Sequence, residues 1–411
     1  MGRTVTLKET LQIAMENAPE ARTVRLNQKV RAWEESSATY RFLPRLDLTS
    51  NLGLQHNVPS APTEPWSSQL GVSLTESLYD NGESIVKLRA SKLNREIAEL
   101  NQLQVRNKVT LDLTIAFYDY SLAAKLLEVK SQQLKTLQKQ LELASTLHQQ
   151  GMKLQVDFLR FKTGVQRAEI DQRTAATQLE TSITELKRIM GYSQNTSEPI
   201  EFLRVEPTAE ETQVPVTPPA LDKTFEKRIA ETQTRINQLN VDLVSRNVWP
   251  QLNLTTGAGY TNSSFIHSPN AFSGGQQYGW NIMLTLKYNL WDWGTQRRDA
   301  EIARANADVQ DNSQQQTLLA VDASIRNLMG QLALLNTNYQ WSRELLKAEE
   351  QSYSFIKQQY QEGKSQYIDL ITSLNSLLDA NVKLHSARFS LAQNMAKYRY
   401  YEGTLYEFIA Q

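Results

Sequence analysis

The chain carries the same motifs twice, at a nearly constant spacing. Pairs 212 residues apart are Asp80/Asp292, Gly82/Gly294, Gly151/Gly363, Asp157/Asp369, Gly191/Gly403, Leu74/Leu286 and Leu78/Leu290. Upstream the spacing is 206 residues, and the pairs are Pro44/Pro250, Leu46/Leu252 and Leu48/Leu254. The difference falls in one loop, which spans 57–66 in the first copy and the longer 263–278 in the second. A length change confined to a loop indicates a duplicated structural unit.

Proline placement predicts where long helices can form. Proline breaks helix interiors, and all twelve prolines lie outside 66–198 and 270–411. Leucines at spacings of three and four favour coiled-coil-like packing in these regions. The longest predicted helix, 82–150, would span about 100 Å at ~1.5 Å per residue. The shorter helices that follow each long one match its length only if a second helix stacks on their ends.

These patterns predict two repeats joined by a proline-rich linker at 199–219. The first repeat, 1–198, comprises helices 7–18 and 20–42, strands 45–56 and 67–79, and helices 82–150 and 152–190. The second repeat, 220–411, comprises helix 220–248, strands 251–262 and 278–290, and helices 296–362 and 364–402.

Composition excludes several classes of function. Lysine plus arginine equals aspartate plus glutamate at 44 each, so no net charge favours nucleic acid. The absence of cysteine excludes disulfides and thiolate chemistry, and it is compatible with an oxidising periplasm. The four histidines lack metal-ligand spacing, so we predict no metal site and no cofactor. No nucleophile–base pattern is present, which predicts that the chain is not an enzyme.

Membrane insertion through a helix is not expected. The sequence has no run of about 18 apolar residues, so we predict no transmembrane helix. Met1 leads directly into a polar amphipathic segment, so we expect that any signal peptide has been removed from this chain.

The strands carry the membrane signal instead. Over 278–290, aromatic and aliphatic residues alternate with mostly polar ones, and thirteen such residues suit a tilted membrane-spanning strand. Five of the seven tryptophans lie within or beside the strands and predict an aromatic membrane girdle: Trp66, Trp249, Trp280, Trp291 and Trp293. The alternative is an amphipathic hairpin packed on the helices of a soluble protein.

Four strands are too few to close a barrel by themselves. About eight strands are the practical minimum, and open strand edges are prohibitive in lipid. Two chains would supply eight strands and a filled interior, whereas three would supply twelve and leave a lumen. The function therefore depends on how many chains share the barrel.

Four further motifs, in order along the chain, carry a family resemblance. They are Thr6-Leu7-Lys8-Glu9-Thr10-Leu11, Phe42-Leu43-Pro44-Arg45-Leu46, Leu290-Trp291-Asp292-Trp293-Gly294, and Tyr360-Gln361-Glu362-Gly363 followed by Asp369-Leu370. Together with the duplication they resemble the outer membrane efflux proteins, the TolC-like channels.

The resemblance implies an α+β membrane protein of the Gram-negative outer membrane. It implies a homotrimer in which four strands per chain form a shared β-barrel, contacting outer-membrane lipid, above a long α-helical barrel in the periplasm. The implied function is the exit duct of a tripartite efflux pump or type I secretion system. The implied partners are a periplasmic adaptor protein and an inner-membrane transporter. The alternative is a soluble elongated helical scaffold without a pore.

The resemblance also implies roles for the ends of the helical hairpins. Asp369 matches an entrance constriction, and Thr372 lies where the family has a second acidic ring. Asp157, Tyr360 and Ser365, with neighbouring Lys364, match a network that closes the hairpin. The predicted adaptor-docking tips are Gly151, Met152, Lys153, Leu154, Gly363, Lys364, Ser365 and Gln366. The local alternative is that the glycines end helices and the aspartates stabilise the first turn of the next helix.

Overall fold

A computed structural model describes residues 3–54, 65–149, 155–192, 200–208, 211–246, 249–265, 277–362 and 364–410. The first copy of the repeat contains β1 (Arg3–Val5), α1 (Leu7–Asn17), α2 (Pro19–Tyr40), β2 (Arg45–Leu54), β3 (Pro65–Tyr79), α3 (Glu83–Gln149) and α4 (Gln155–Ile189). There follow β4 (Ile200–Phe202), a 3₁₀ turn (Leu221–Lys223), α5 (Phe225–Arg246), β5 (Gln251–Phe265), β6 (Gln277–Lys287), α6 (Thr295–Gln361), α7 (Tyr367–Glu402) and α8 (Leu405–Ala410).

The internal duplication is confirmed in the bounds of the elements. Helices α3 and α6 each have 67 residues, and α2 and α5 each have 22. The starts of α3 and α6 are 212 residues apart, and those of α2 and α5 are 206 apart. Backbone conformation repeats as well: Gly191 and Gly403, which end α4 and α7, have φ of 76° and 75°.

Two compact units form, and each draws on both repeats. The first unit comprises Met1–Leu26, Leu100–Arg228 and Thr317–Gln411, and the second comprises Asn27–Glu99 and Ile229–Gln316. The compact units therefore do not coincide with the repeats. The second unit contains the four-stranded sheet, and the first contains the ends of the helical hairpins.

The main core of the first unit forms where α1, α3 and α4 meet. Its fully buried residues include Leu11, Leu113, Phe117, Leu186 and Met190. Helix α1 begins in a capping box, in which the Thr6 hydroxyl accepts from the Glu9 backbone N–H and the Glu9 carboxylate accepts from the Thr6 N–H. At the far end of α4, a Cβ on Gly191 would lie 2.6 Å from the Asn17 carbonyl oxygen. The end of α4 therefore packs directly against the end of α1, at its junction with α2.

The region predicted as a linker is fixed to the helices. Its first residues form β4, which pairs in parallel with β1. The Tyr120 hydroxyl donates to the Phe202 carbonyl at 2.9 Å, and the Tyr118 hydroxyl donates to Glu211 at 2.7 Å. Burial, and then the Glu211 carboxylate, raise the pKa of Tyr118. The segment is therefore a strap across the helices rather than a free connection.

The strap also binds α7. Arg388 donates to the Glu206 carboxylate and to the Pro207 carbonyl, both at 2.7 Å. The Tyr398 hydroxyl donates to the Thr217 carbonyl at 2.9 Å. Five prolines in 199–219 prevent helix formation without preventing these side-chain contacts.

Several predicted bounds were wrong for local reasons. Helix α5 begins at Phe225 rather than at residue 220, because a 3₁₀ turn precedes it and Thr224 bonds to the first helical turn. Strand β6 ends at Lys287 rather than at residue 290, because Lys287 pairs with Gln251, the first residue of β5. The short elements β1, β4 and α8 were not predicted, since three to six residues carry too little periodicity.

Helix α6 contains a longer apolar segment than the sequence analysis predicted. Helix α6 contains an 18-residue segment apolar enough to cross a membrane, and only 17% of that segment is buried within the chain. Core helices of soluble proteins also contain such segments, and α6 is assigned no membrane span here. The exposed apolar surface of α6 includes Leu319, Leu334 and Trp341.

We predict that a glycine-to-alanine substitution destabilises the protein to different extents at the ends of α4 and α7. Both Gly191→Ala and Gly403→Ala should lose about 1–2 kcal/mol, because L residues are strained at positive φ. Gly191→Ala should lose about 1–3 kcal/mol more, since its Cβ would overlap the Asn17 carbonyl, whereas at Gly403 it would meet the Phe225 ring at 3.5 Å. Thermal unfolding followed by circular dichroism measures both. Equal midpoints for the two variants would contradict the close approach at Gly191.

Candidate channel-forming site

The four-stranded sheet has one apolar face. Its strands are antiparallel in the order β2-β3-β5-β6. Paired residues across the four strands form rows, and the apolar rows are Leu46/Leu74/Thr256/Ile282, Leu48/Val72/Ala258/Trp280 and Ser50/Leu70/Tyr260/Tyr278. Many side chains in these rows are exposed, including Leu48 at 72% and Trp280 at 78%. An apolar face this large requires cover by lipid or by protein.

The opposite face of the sheet is polar. Its rows, which alternate with the apolar ones, are Arg45/Thr75/Thr255/Met283, Asp47/Ser73/Gly257/Asn281, Thr49/Gly71/Gly259/Gly279 and Asn51/Gln69/Thr261/Gln277. Arg45 and Asp47 form an ion pair at 2.8 Å. Apolar and polar faces that alternate in this way are typical of a barrel with lipid outside and water inside.

Glycines on the polar face allow β3 and β5 to approach closely. A Cβ on Gly259 would lie 3.0 Å from the Leu70 carbonyl oxygen, and one on Gly257 would lie 3.2 Å from that of Val72. These positions therefore exclude larger side chains unless the strands move apart. Glycines at such positions in strands mark tight bends, and a barrel wall needs them.

Both edges of the described sheet are open. Strand β2 pairs only with β3, and β6 pairs only with β5, among the strands that the structure describes. The outer edges of these two strands pair with no other described strand, and hydrocarbon offers no alternative partners. Because β2 and β6 run in opposite directions, β6 of one chain can pair with β2 of the next in the same antiparallel sense.

Aromatic residues lie at both ends of the apolar face. Tyr278 and Tyr260 pack with ring centroids 5.2 Å apart at the loop end. At the helical end, Trp249, Trp291 and Trp293 are all more than 60% exposed. The eleven residues from Tyr278 to Tyr288 span ~33 Å when extended, which at a strand tilt of about 40° is roughly 25 Å. That height matches the apolar band of outer-membrane barrels.

The same turn connects β3 to α3 in the first repeat and β6 to α6 in the second. Asp80 accepts from the backbone N–H groups of Gly82 and Ser84, and Asp292 accepts from those of Gly294 and Gln296. Each aspartate thereby satisfies N–H groups that the first helical turn leaves unbonded. The following residues adopt positive φ in both copies, which redirects the chain from β3 into α3 and from β6 into α6.

At the hairpin between α6 and α7, Asp369 closes a capping box. Its carboxylate accepts from the Gln366 backbone N–H at 3.1 Å and from the Ser365 hydroxyl at 3.4 Å. Asp369 and Thr372 are both exposed and lie three residues apart on one face of α7. The opposite face buries Tyr367, Leu370 and other residues against the neighbouring helices. The capping role that sequence analysis gave as the local alternative is therefore present.

The other side chains of the predicted closing network have local contacts. Lys364 forms an ion pair with Glu362 at 2.8 Å. Hydrogen bonds from Lys364 and then Gln358 lower the pKa of Glu362. Tyr360 packs against a cluster that contains Phe161 and Tyr367, whose rings meet edge to face at 4.2 Å.

Several predicted site residues lie outside the described part of the chain. These are Gly151, Met152, Lys153, Leu154 and Gly363, together with the side chains of Trp66 and Asp157. The backbone of Trp66 is described, and it pairs with Leu54 and Ser264 at the loop end of the sheet.

Comparison with known proteins decides the family. The family model described as outer membrane efflux protein matches residues 10–192 and 226–403, which is most of the chain. The chain belongs to the outer membrane efflux protein family. It is an outer-membrane efflux channel of the TolC type, located in the Gram-negative outer membrane with a large periplasmic portion.

Named relatives agree with this assignment. The chain is 21% identical over 423 residues to Outer membrane protein TolC of Escherichia coli strain K12, covering 98% of this chain and 83% of TolC. It is similar in fold to the outer membrane protein VceC of Vibrio cholerae, with a TM-score of 0.81, 14% identity, and 97% and 96% of the two chains covered. It is also similar in fold to the CmeC outer membrane channel of Campylobacter jejuni, with a TM-score of 0.80, 15% identity, and 97% and 85% of the two chains covered.

We predict that two adjacent residues on β6 differ in their tolerance of an introduced positive charge. Ile282→Arg should impair outer-membrane assembly, because an arginine on the lipid side near mid-membrane costs about 2–4 kcal/mol. Asn281→Arg, one residue away on the polar face, should assemble normally. Heat-resistant trimer recovered from the outer-membrane fraction measures both. Equal recovery of the two variants would contradict the assignment of the faces.

Proposed function

We propose that the channel is a homotrimer in which twelve strands form one barrel and the helices continue as a tunnel. The observation that carries this proposal is the sheet with two open edges and two chemically opposite faces. Three chains supply twelve strands, which leave a water-filled lumen lined by the polar rows. Two chains would supply eight strands, whose interior is filled by side chains and would not pass substrates.

The shared barrel predicts contact between β6 of one chain and β2 of the next. Because the chain has no cysteine, introduced cysteines are the only ones present. Thr49→Cys on β2, combined with single cysteines scanned along β6, should give covalent dimers and trimers on oxidation at one register of the scan. As a control, Ser73→Cys on the inner strand β3, with the same scan, should give no cross-linked trimer. Cross-linking through β3 but never through β2 would contradict the shared barrel.

The hairpin ends are proposed to receive a periplasmic adaptor protein and an inner-membrane transporter. Family membership supports such partners, and the relatives include TolC and CmeC. The proposed docking tips are those predicted above: Gly151, Met152, Lys153, Leu154, Gly363, Lys364, Ser365 and Gln366. The exposure of Lys364 and Gln366 supports a docking role, since neither side chain is buried by its own chain. Substrates would pass from these partners through the tunnel to the outside.

Asp369 is proposed to line the entrance of the tunnel. In a trimer, one exposed carboxylate per chain becomes a ring of three, and such a ring favours cations. Thr372 would occupy the next position along the same face without adding charge. The hydrogen bonds at Asp369 support this role as well, because the capping box fixes where its carboxylate lies.

The closing network is proposed in modified form. Tyr360 and Asp157 keep the roles implied by the family, and Ser365 stands where a basic residue would be. Lys364 is the adjacent cation in the sequence, and its ion pair with Glu362 would compete with any bond to Asp157. Opening of the hairpin would therefore disrupt fewer bonds than it would in a network that has a dedicated basic residue.

Removing the charge from each of two nearby carboxylates tests whether Asp369 lines the entrance of the tunnel. Asp369→Asn should lower cation selectivity while preserving the helix start, because asparagine can still accept from the Gln366 N–H. Glu362→Gln removes the same charge from an exposed position already paired with Lys364 and should change selectivity less. Reversal potentials of single channels in a salt gradient measure both. Unchanged selectivity in Asp369→Asn would refute the ring.

A further inference from the structure

A cavity of about 600 Å³ opens in the first unit, where α1, the start of α2, α3 and α8 meet. Its apolar wall includes Leu11 and Met15 of α1, Val24 of α2, Val105 of α3 and Tyr406 of α8. The lining positions recur every three or four residues along each helix, so one face of each helix forms the wall. Concave cavities of this size with a mixed lining are typical of small-molecule sites.

Cations outnumber carboxylates in the wall of this cavity. Lys8, Arg25 and Arg106 line it, and Glu16 is the one carboxylate among the described residues that do so. Three positive charges and one negative charge leave a net charge of +2 on the lining. A positively charged cleft with a partly apolar wall concentrates organic anions.

Arg106 is the cation placed most firmly. Its guanidinium carbon lies 4.0 Å from the centroid of the Tyr406 ring, and the Tyr406 backbone N–H donates to the Asn107 side chain at 3.1 Å. Its Nε is buried without a hydrogen-bond partner, and Arg106 forms no ion pair within the described part of the chain. A guanidinium has five N–H donors, so Arg106 retains open donors beside the cavity.

Arg25 supplies a second guanidinium at the edge of the cavity. Its Nη2 donates to the Met15 carbonyl and, at 3.3 Å, to the Glu16 carbonyl at the end of α1. A cation is favourable at the carbonyl end of a helix. These bonds hold the Arg25 side chain in place without neutralising its charge.

Other carboxylates of this unit interact with cations outside the cavity. Arg188 interacts with both Glu20 and Asp112, and Lys108 also interacts with Asp112. The Glu9 carboxylate accepts from the backbone N–H that begins α1. The positive charge of the cavity wall is therefore carried by residues whose own partners are carbonyl groups and an aromatic ring.

The cavity lies on the side of α2 away from its exposed apolar residues. Leu26, Val30 and Trp33 are 53%, 43% and 70% exposed. At 3.6 residues per turn, they point roughly 150° around the helix axis from the cavity-lining residues of α2. Because α2 leads into the edge strand β2, the proposed trimer places these exposed residues, rather than the cavity, against the next chain.

We infer that this cavity binds a long-chain carboxylate. Arg106 and Arg25 bind the head group, because one guanidinium can bind both oxygens of a carboxylate. The alkyl chain lies along Leu11, Met15 and Val24, where it leaves water. A bound carboxylate would link α1 to α8 through a shared ligand. The inference goes beyond the proposed function and does not depend on the pore.

The test is photolabelling of the full-length protein, purified in an uncharged detergent, with a dodecanoate that carries a diazirine in its chain. Peptide mass spectrometry should locate the label on α1, α3 and α8. Unlabelled dodecanoate in excess should suppress this labelling, whereas dodecanol, which has the same chain without the charge, should suppress it far less.

Two variants separate the head group from the chain. Arg106→Gln should weaken competition by dodecanoate about tenfold to a hundredfold, the usual loss for one hydrogen bond to a charged group. Val24→Phe keeps every charge, fills the cavity and should also prevent labelling. Arg188→Gln is the matched control, because this arginine lies outside the cavity and pairs with Glu185 at 2.6 Å. Thermal midpoints near that of the wild type would show that each variant is folded.

Three outcomes would overturn the inference. They are equal suppression by dodecanol and dodecanoate, wild-type affinity in both Arg106→Gln and Val24→Phe, and label confined to the strands of the sheet. A monomer that stays soluble without detergent and keeps the selective labelling would instead refute the proposed trimer and leave this site intact.

Discussion

The hydrogen bonds that the four-stranded sheet cannot make within one chain determine how this protein works. Among the strands that the structure describes, β2 and β6 each leave one edge open, and hydrocarbon contains no donors or acceptors to satisfy it. The apolar face rules out exposure of the sheet to water, and the polar face rules out full burial in lipid. Closure with other copies of the chain satisfies all three constraints at once. In the proposed trimer, closure of the shared barrel forms the lumen, the membrane anchor and the tunnel together.

Much of the fold was predictable because duplication and proline placement are strong signals. The starts of α3 and α6 differ by the same 212 residues as Asp80 and Asp292. Period-two alternation located the strands, and their register then placed Leu48 beside Val72 on the apolar face. The strap was missed because five prolines in 199–219 indicate an irregular backbone and carry no information about the tyrosine and arginine contacts that hold it. Such contacts depend on residues about 90 to 180 positions apart, which periodicity does not connect.

The site was predictable only in part. Sequence alone identified Asp369, and its structure supports a local role as a helix cap beside the proposed role at the entrance. Trp291 and Trp293 were assigned to the girdle, and both are exposed in the single chain beside the helical end of the sheet. The two copies of the repeat have kept one backbone and diverged in surface chemistry.

The shared barrel is the central claim, and the mass of the detergent-extracted particle tests it most directly. Light scattering after size exclusion, corrected for bound detergent, measures the protein mass alone. We expect three times 46.9 kDa, about 141 kDa, which corresponds to twelve strands and an open lumen. A mass near 94 kDa, twice that of the chain, would mean eight strands and a filled barrel. A stable monomer in the absence of detergent would contradict the account, because the open edges would then have no need of partners.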